Sequence, residues 1–237
     1  FPHVDHLHPD WAIAIAASAN GAVKLAEFNA RYRRRIVWVP WQRPGFELAL
    51  MLRNAVRDNP GCDGILLGGH GLFTWGQTQR DCYLSSIRTI DQMGQFVNAH
   101  AEASDRPLFG GAAVTDAGGA ELAAAILPYL RGVVSTTRRT IAHWDGSDAA
   151  LAFANGAWAE ELCRLGTSCP DHFLRTRICP MFVPWRPSDG VASLRARIDE
   201  RVVRYRDEYT AYYRAHAQPD SPALRDTNPS VVVIPGL

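Results

Sequence analysis

Three histidines are the side chains of this chain best placed for chemistry: His6 and His8, separated by one residue, and His70 inside the string GGHGLF. Residues two apart on a strand share a face, so His6 and His8 can converge on one ion while His3 and Leu7 point the other way. Imidazole nitrogen binds Zn²⁺ at about 2.0–2.1 Å, and a catalytic zinc commonly takes three protein ligands with a position left open. The pair by itself is weak evidence, since two histidines at this spacing often merely decorate a surface strand. His70 shifts the balance, because it follows the apolar run Gly64–Leu67 and precedes Gly71, which lets the backbone turn beside an ion.

The elements that must position these residues follow from periodicity and punctuation. Val4–His8 suits a short strand that Pro9 stops, and the alanine-rich run after Pro9 suits a helix ending near Asn20 and Gly21. A helix over Val23–Tyr32, a strand over Ile36–Val39 ended by Pro40 and Trp41, and a helix over Phe46–Asp58 with a broad apolar face come next. Gly64–Leu67 reads as a buried strand from which GGHGLF leads the chain away, and a helix runs after Gly76 from Arg80 to about Val97. This order is that of an α/β layered domain. Beyond residue 104 a Gly- and Ala-rich linker, Gly110–Gly119, precedes a smaller α/β module. Its expected elements are a helix over Ala120–Tyr129, a strand over Thr140–His143, and helices over Ser147–Ala154 and Ala159–Arg164. A long amphipathic helix over Val191–Ala215 closes the module, striped by Leu194, Ile198, Val202, Tyr205 and Tyr209.

Composition excludes several classes. With 237 residues, 47% hydrophobic and 21% charged, the chain has the makeup of an ordinary globular protein. A net charge of +1 gives no field to collect nucleic acid or an anionic membrane surface, and the basic run Arg31–Arg35 reads as a solvated helix end. No apolar run approaches the roughly 20 residues of a membrane helix. Five scattered cysteines lack the density of a disulfide scaffold, so a reducing cytoplasm is the expected location. The chain opens at Phe1 and closes on the strand-like run Val231–Leu237, and it reads as a piece of something longer.

The string HLHPD before an alanine-rich helix, and GILLGGHGLFTWG before another, resemble the class II aldolase and adducin family. The resemblance is closest to a bifunctional branch in which a rhamnulose-1-phosphate aldolase is fused to a short-chain dehydrogenase. The strings HVDHLHPDWAIAIAASANG, VPWQRPGFEL, LGTSCPDHFLRT and QPDSPALRDTNP carry it across nearly the whole chain. It implies a three-layer α/β/α class II aldolase-like metal-binding domain over 1–103, with its N-terminal part missing. A C-terminal α/β module with a long helix, over 104–237, would lead toward a dehydrogenase domain absent from this chain. It also implies that His6, His8 and His70 are the metal ligands. The family's general-base carboxylate would lie upstream of Phe1, as would most of the residues that cradle the substrate phosphate.

In this kind of aldolase a ketose 1-phosphate chelates Zn²⁺, or another divalent cation, through its carbonyl and adjacent hydroxyl, and the cation stabilises the enediolate left by carbon–carbon cleavage. The implied substrate is L-rhamnulose 1-phosphate and the implied products are dihydroxyacetone phosphate and L-lactaldehyde. NAD would act only through the absent dehydrogenase domain, and a homo-oligomer is implied. An epimerase or dehydratase of the same superfamily would use the same three histidines. A non-catalytic adducin-like assembly domain is the reading from outside enzymology, and the presence of all three histidines weighs against it.

Other candidates are set aside. GGHGLF followed by Asp91 resembles a dinucleotide-binding turn, but Thr74 stands where the third glycine belongs. Cys169, Asp171 and His172 in SCPDHF read as a structured turn with a buried thiol. His143 and His216 lie in unrelated segments, and Trp38, Trp41 and Trp75 are expected in the core.

Overall fold

The computed structural model describes residues 1–116 and 118–237, so one position of the Gly110–Gly119 linker lies outside the described residues. The chain divides into two compact units, Phe1–Asp105 with Ser168–Asp171, and Arg106–Thr167 with His172–Leu237.

The first unit holds β1 (His3–Leu7), α1 (Asp10–Ala16), α2 (Gly21–Tyr32), β2 (Ile36–Val39), α3 (Phe46–Asp58), β3 (Gly64–Leu67), β4 (Leu72–Gly76) and α4 (Gln79–Glu102). The strands form one mixed sheet in the order β1-β4-β3-β2, with β2 parallel to β3 and β4 antiparallel to both neighbours. Alternation along the strands feeds two cores. Ile36, Leu66 and Leu72 pack with Ala12, Ile15, Leu25, Phe28, Met93 and Phe96 from α1, α2 and α4. Val39, Ile65 and Leu67 pack on the other face with Leu48, Leu52 and Val56 of α3. The result is the expected α/β/α layering, and each fully buried Leu, Ile or Phe contributes about 1.5–3 kcal/mol.

One expectation for this unit needs correction. GGHGLF does not simply lead off β3; it turns the chain back into β4, with Ile65 opposite Phe73 and Leu66 opposite Leu72. The turn is closed by Leu67 N–H donating to Gly71 O at 2.8 Å and His70 N–H to Leu67 O at 3.1 Å. Gly69 takes φ +61°, a left-handed backbone that disfavours side chains.

Trp41 also departs from expectation. It is 60% exposed, its indole edge lying over Gly69, whereas Trp38 and Trp75 pack against the two cores. The basic run is not simply solvated, since Arg34 Nε donates to Gln92 and Arg35 Nη2 to Pro60 O, both at 2.7 Å.

The second unit contains α5 (Gly119–Val134), α6 (Asp148–Ala154), α7 (Ala159–Leu165), most of α8 (Pro170–Thr176), β5 (Met181–Phe182), α9 (Gly190–His216) and β6 (Val232–Val233). The stripe expected on α9 is its buried face, where Leu194, Ile198, Val202 and Tyr205 meet Ile126 and Leu130 of α5 and Met181 of β5, which pairs parallel with β6. Thr140–His143, expected as a strand, pairs with nothing and forms no regular element, and Ile141 is 99% exposed. Nor does α9 close the unit, because β6 follows it. The five cysteines are unpaired thiols, and no helix among the described residues is long and apolar enough to cross a membrane.

Candidate metal centre

Strand direction brings the three histidines together. β1 and β3 are both antiparallel to β4, which lies between them, so they run the same way and end at the same edge of the sheet. His8 follows the last residue of β1 and His70 lies just past the end of β3, while His6 sits within β1 opposite Phe73. One nitrogen from each ring can be chosen so that all three lie within 4.8 Å of one another. The ring centroids are 4.6 Å apart for His6 and His8, 5.1 Å for His6 and His70, and 5.2 Å for His8 and His70.

Each ring is held by its surroundings. His6 stacks on Phe73 with centroids 4.0 Å apart, and its Nδ1–H donates to Leu72 O at 3.2 Å, which fixes the tautomer that leaves the Nε2 lone pair free. That Nε2 faces His8 Nε2 at 3.1 Å. His70 is buried, and its Nδ1 has no hydrogen-bond partner. Gly71 is the spacer between backbone and rings, since a Cβ there would lie 2.5 Å from His8 Cδ2 and 3.3 Å from His6 Cε1.

Electrostatics favour the neutral form of two of these rings, His6 and His70. Burial lowers the His6 pKa, the Leu72 carbonyl opposes that, and His8 lowers it further. Burial also lowers the His70 pKa, and His6 and His8 add to the fall. Neutral imidazoles have the lone pairs a cation needs. The donor set therefore fits a divalent metal: three nitrogens suited to zinc, and a buried His70 nitrogen that a cation would satisfy.

Behind the site, Ser86 Oγ of α4 donates to Asp5 Oδ2 at 2.7 Å and lies 2.7 Å from Thr74 Oγ1. Ser86 and Thr74 are each only 1% exposed, so this polar network pins β1 and β4 to the helix. By strand alternation His3 shares the Asp5 side of β1 and stands away from the cluster. His143 and His216 belong to the second unit.

Within SCPDHF the Cys169 thiol is buried, as a structured turn requires. Asp171, however, reaches the histidines, with its Oδ2 3.2 Å from His8 Nε2. Sequence reasoning set this residue aside, and no local pattern in SCPDHF marks its approach to His8.

Comparison with known proteins brings the two units into one context. Residues 1–93 match the profile described as class II aldolase and adducin N-terminal domain, and residues 121–237 that described as aldolase class II, second domain. An uncharacterized oxidoreductase, YuxG, from Bacillus subtilis (strain 168) is 35% identical over 241 residues, covering 100% of this chain and 34% of that protein. The chain thus spans about a third of the length of this relative. Among solved structures, the N-terminal class II aldolase domain of a conserved protein from Thermoplasma acidophilum is 28% identical, over 40% of this chain and 41% of that one, with a TM-score of 0.34. An aldolase II superfamily protein from Pseudomonas syringae is 18% identical over 42% and 40%, also with a TM-score of 0.34.

Proposed function

Because the chain belongs to the class II aldolase and adducin family, we propose that His6, His8 and His70 hold a Zn²⁺ ion used in retro-aldol cleavage of a ketose 1-phosphate. The substrate that fits the sequence resemblance is L-rhamnulose 1-phosphate, giving dihydroxyacetone phosphate and L-lactaldehyde. The observation that carries this reading is the convergence of three imidazoles, one with a buried nitrogen lacking any other partner.

A divalent cation held there supplies a Lewis acid that stabilises the negative charge developing on substrate oxygen as the carbon–carbon bond breaks, an effect worth several kcal/mol. The chain's own residues prepare that site. Leu72 O holds the His6 tautomer, Phe73 fixes the plane of its ring, and Gly71 leaves room for both rings of the β1 pair. The Asp5–Ser86–Thr74 network holds β1 in register with β4, so that His6 and His8 keep their places relative to His70. The oxidoreductase description of YuxG attaches to a protein about three times as long as this chain. It fits a whole protein in which a separate NAD-dependent region oxidises the aldehyde.

The test is incubation of the purified zinc-loaded protein with L-rhamnulose 1-phosphate, reading dihydroxyacetone phosphate through a coupled glycerol-phosphate dehydrogenase. Product that disappears on chelation and in His70→Ala supports the aldolase reading. Epimerised sugar phosphate without cleavage products would replace it with the epimerase alternative.

A further inference from the structure

We propose that Asp171 is a fourth protein donor to the ion held by His6, His8 and His70, an inference that rests on the three-histidine reading. Ser168–Asp171 groups with the first unit although it lies about 100 residues beyond His70 in the chain. For bonds of about 2.0–2.1 Å, two ligands of one tetrahedral zinc stand about 3.3 Å apart. Two contacts have this length: His6 Nε2 to His8 Nε2 at 3.1 Å, and His8 Nε2 to Asp171 Oδ2 at 3.2 Å.

Which atom of His8 is touched matters as much as the distance. A carboxylate that merely orients a metal-bound histidine sits behind the ring and accepts from the nitrogen that does not bind metal. Asp171 instead approaches Nε2, the same nitrogen that faces His6, and as an exposed side chain just outside the group of three nitrogens within 4.8 Å of one another it would turn toward the ion on binding. Carboxylate oxygen is an ordinary zinc donor, and one negative charge offsets half of the dication's, which three neutral imidazoles leave unbalanced. Zinc can expand to five-coordination, so one substrate oxygen can join four protein donors, and chelation by a second oxygen would displace the exposed Asp171 carboxylate. The Asp171 side chain is 52% exposed, so its replacement leaves packing intact.

The experiment titrates Co²⁺, then Zn²⁺ in competition with a chelator, into the metal-free full chain and its Asp171→Asn and His70→Ala variants, with far-UV circular dichroism confirming that each is folded. Asparagine keeps the shape and can still accept a hydrogen bond from His8, but it loses the anionic donor. The proposal expects Asp171→Asn to weaken Zn²⁺ binding by at least about 10-fold, the lower end of what loss of an outer-shell partner costs. It also expects the visible Co²⁺ bands at saturation to change in position and intensity. If His70→Ala abolishes binding while Asp171→Asn keeps wild-type affinity or an unchanged saturated Co²⁺ spectrum, Asp171 is not a donor and the three-histidine site stands alone. A wild-type chain that takes up no Co²⁺ or Zn²⁺ overturns both readings.

Discussion

Gly71→Ala should cripple metal binding while leaving the fold largely intact. The added Cβ would lie 2.5 Å from His8 Cδ2, 2.7 Å from Leu7 O and 3.3 Å from His6 Cε1. Ordinary contact begins at 3.4 Å, so the partly exposed His8 ring or the turn must retreat by about 0.9 Å. Metal–ligand distances tolerate about ±0.2 Å, several times less than that displacement. Zinc affinity, measured by chelator competition, is therefore expected to fall by about 100-fold or more, the upper end of what disturbing a ligand's support costs. The overpacking itself should cost about 1–3 kcal/mol of stability in urea. Gly61→Ala is the matched control: its φ of +75° makes alanine strained, yet its new Cβ would meet the Arg35 guanidinium and not the histidines. It should cost about 1–2 kcal/mol and leave zinc affinity unchanged. A Gly71→Ala chain with wild-type zinc affinity would refute the geometric argument.

Two further outcomes follow from the same contacts. Ser86→Ala strands the Asp5 carboxylate and the buried Thr74 hydroxyl, and urea denaturation should register a loss of about 1–3 kcal/mol. Burial pushes the Cys163 thiol up to about 11 from its ordinary 9.0, so the folded state resists forming the thiolate. The folded pKa lies above the unfolded one, so this contribution is fully present below about pH 9 and is lost as pH rises toward 11. The urea midpoint should fall across that window and fall less in Cys163→Ala; equal slopes in the two proteins would remove Cys163 as a cause.

Legibility in the sequence tracked how local each interaction is. β2, α3 and β3 have the bounds that their apolar runs and flanking Pro and Gly residues mark, because each is set by neighbours along the chain. β4 is not legible because Leu72–Gly76 directly follows a glycine-rich turn with no standard hairpin signal, and its strand character comes from pairing with β3 across that turn and with β1 some 70 residues away. Thr140–His143 failed for the opposite reason: it has β-favouring residues but no strand to pair with. In the site, alternation places His6 and His8 on one side of β1, but their approach to His70 depends on β1 and β3 running in the same direction, which periodicity does not encode. Asp171 was the hardest to see, since no local pattern ties SCPDHF to the end of β1.

The central claim is tested most directly by zinc stoichiometry. The purified chain, stripped with a chelator, reloaded with Zn²⁺ and dialysed, should hold about one zinc per chain by elemental analysis, and His70→Ala should hold only a trace. A wild-type chain without zinc, or a His70→Ala chain that keeps it, would contradict the account.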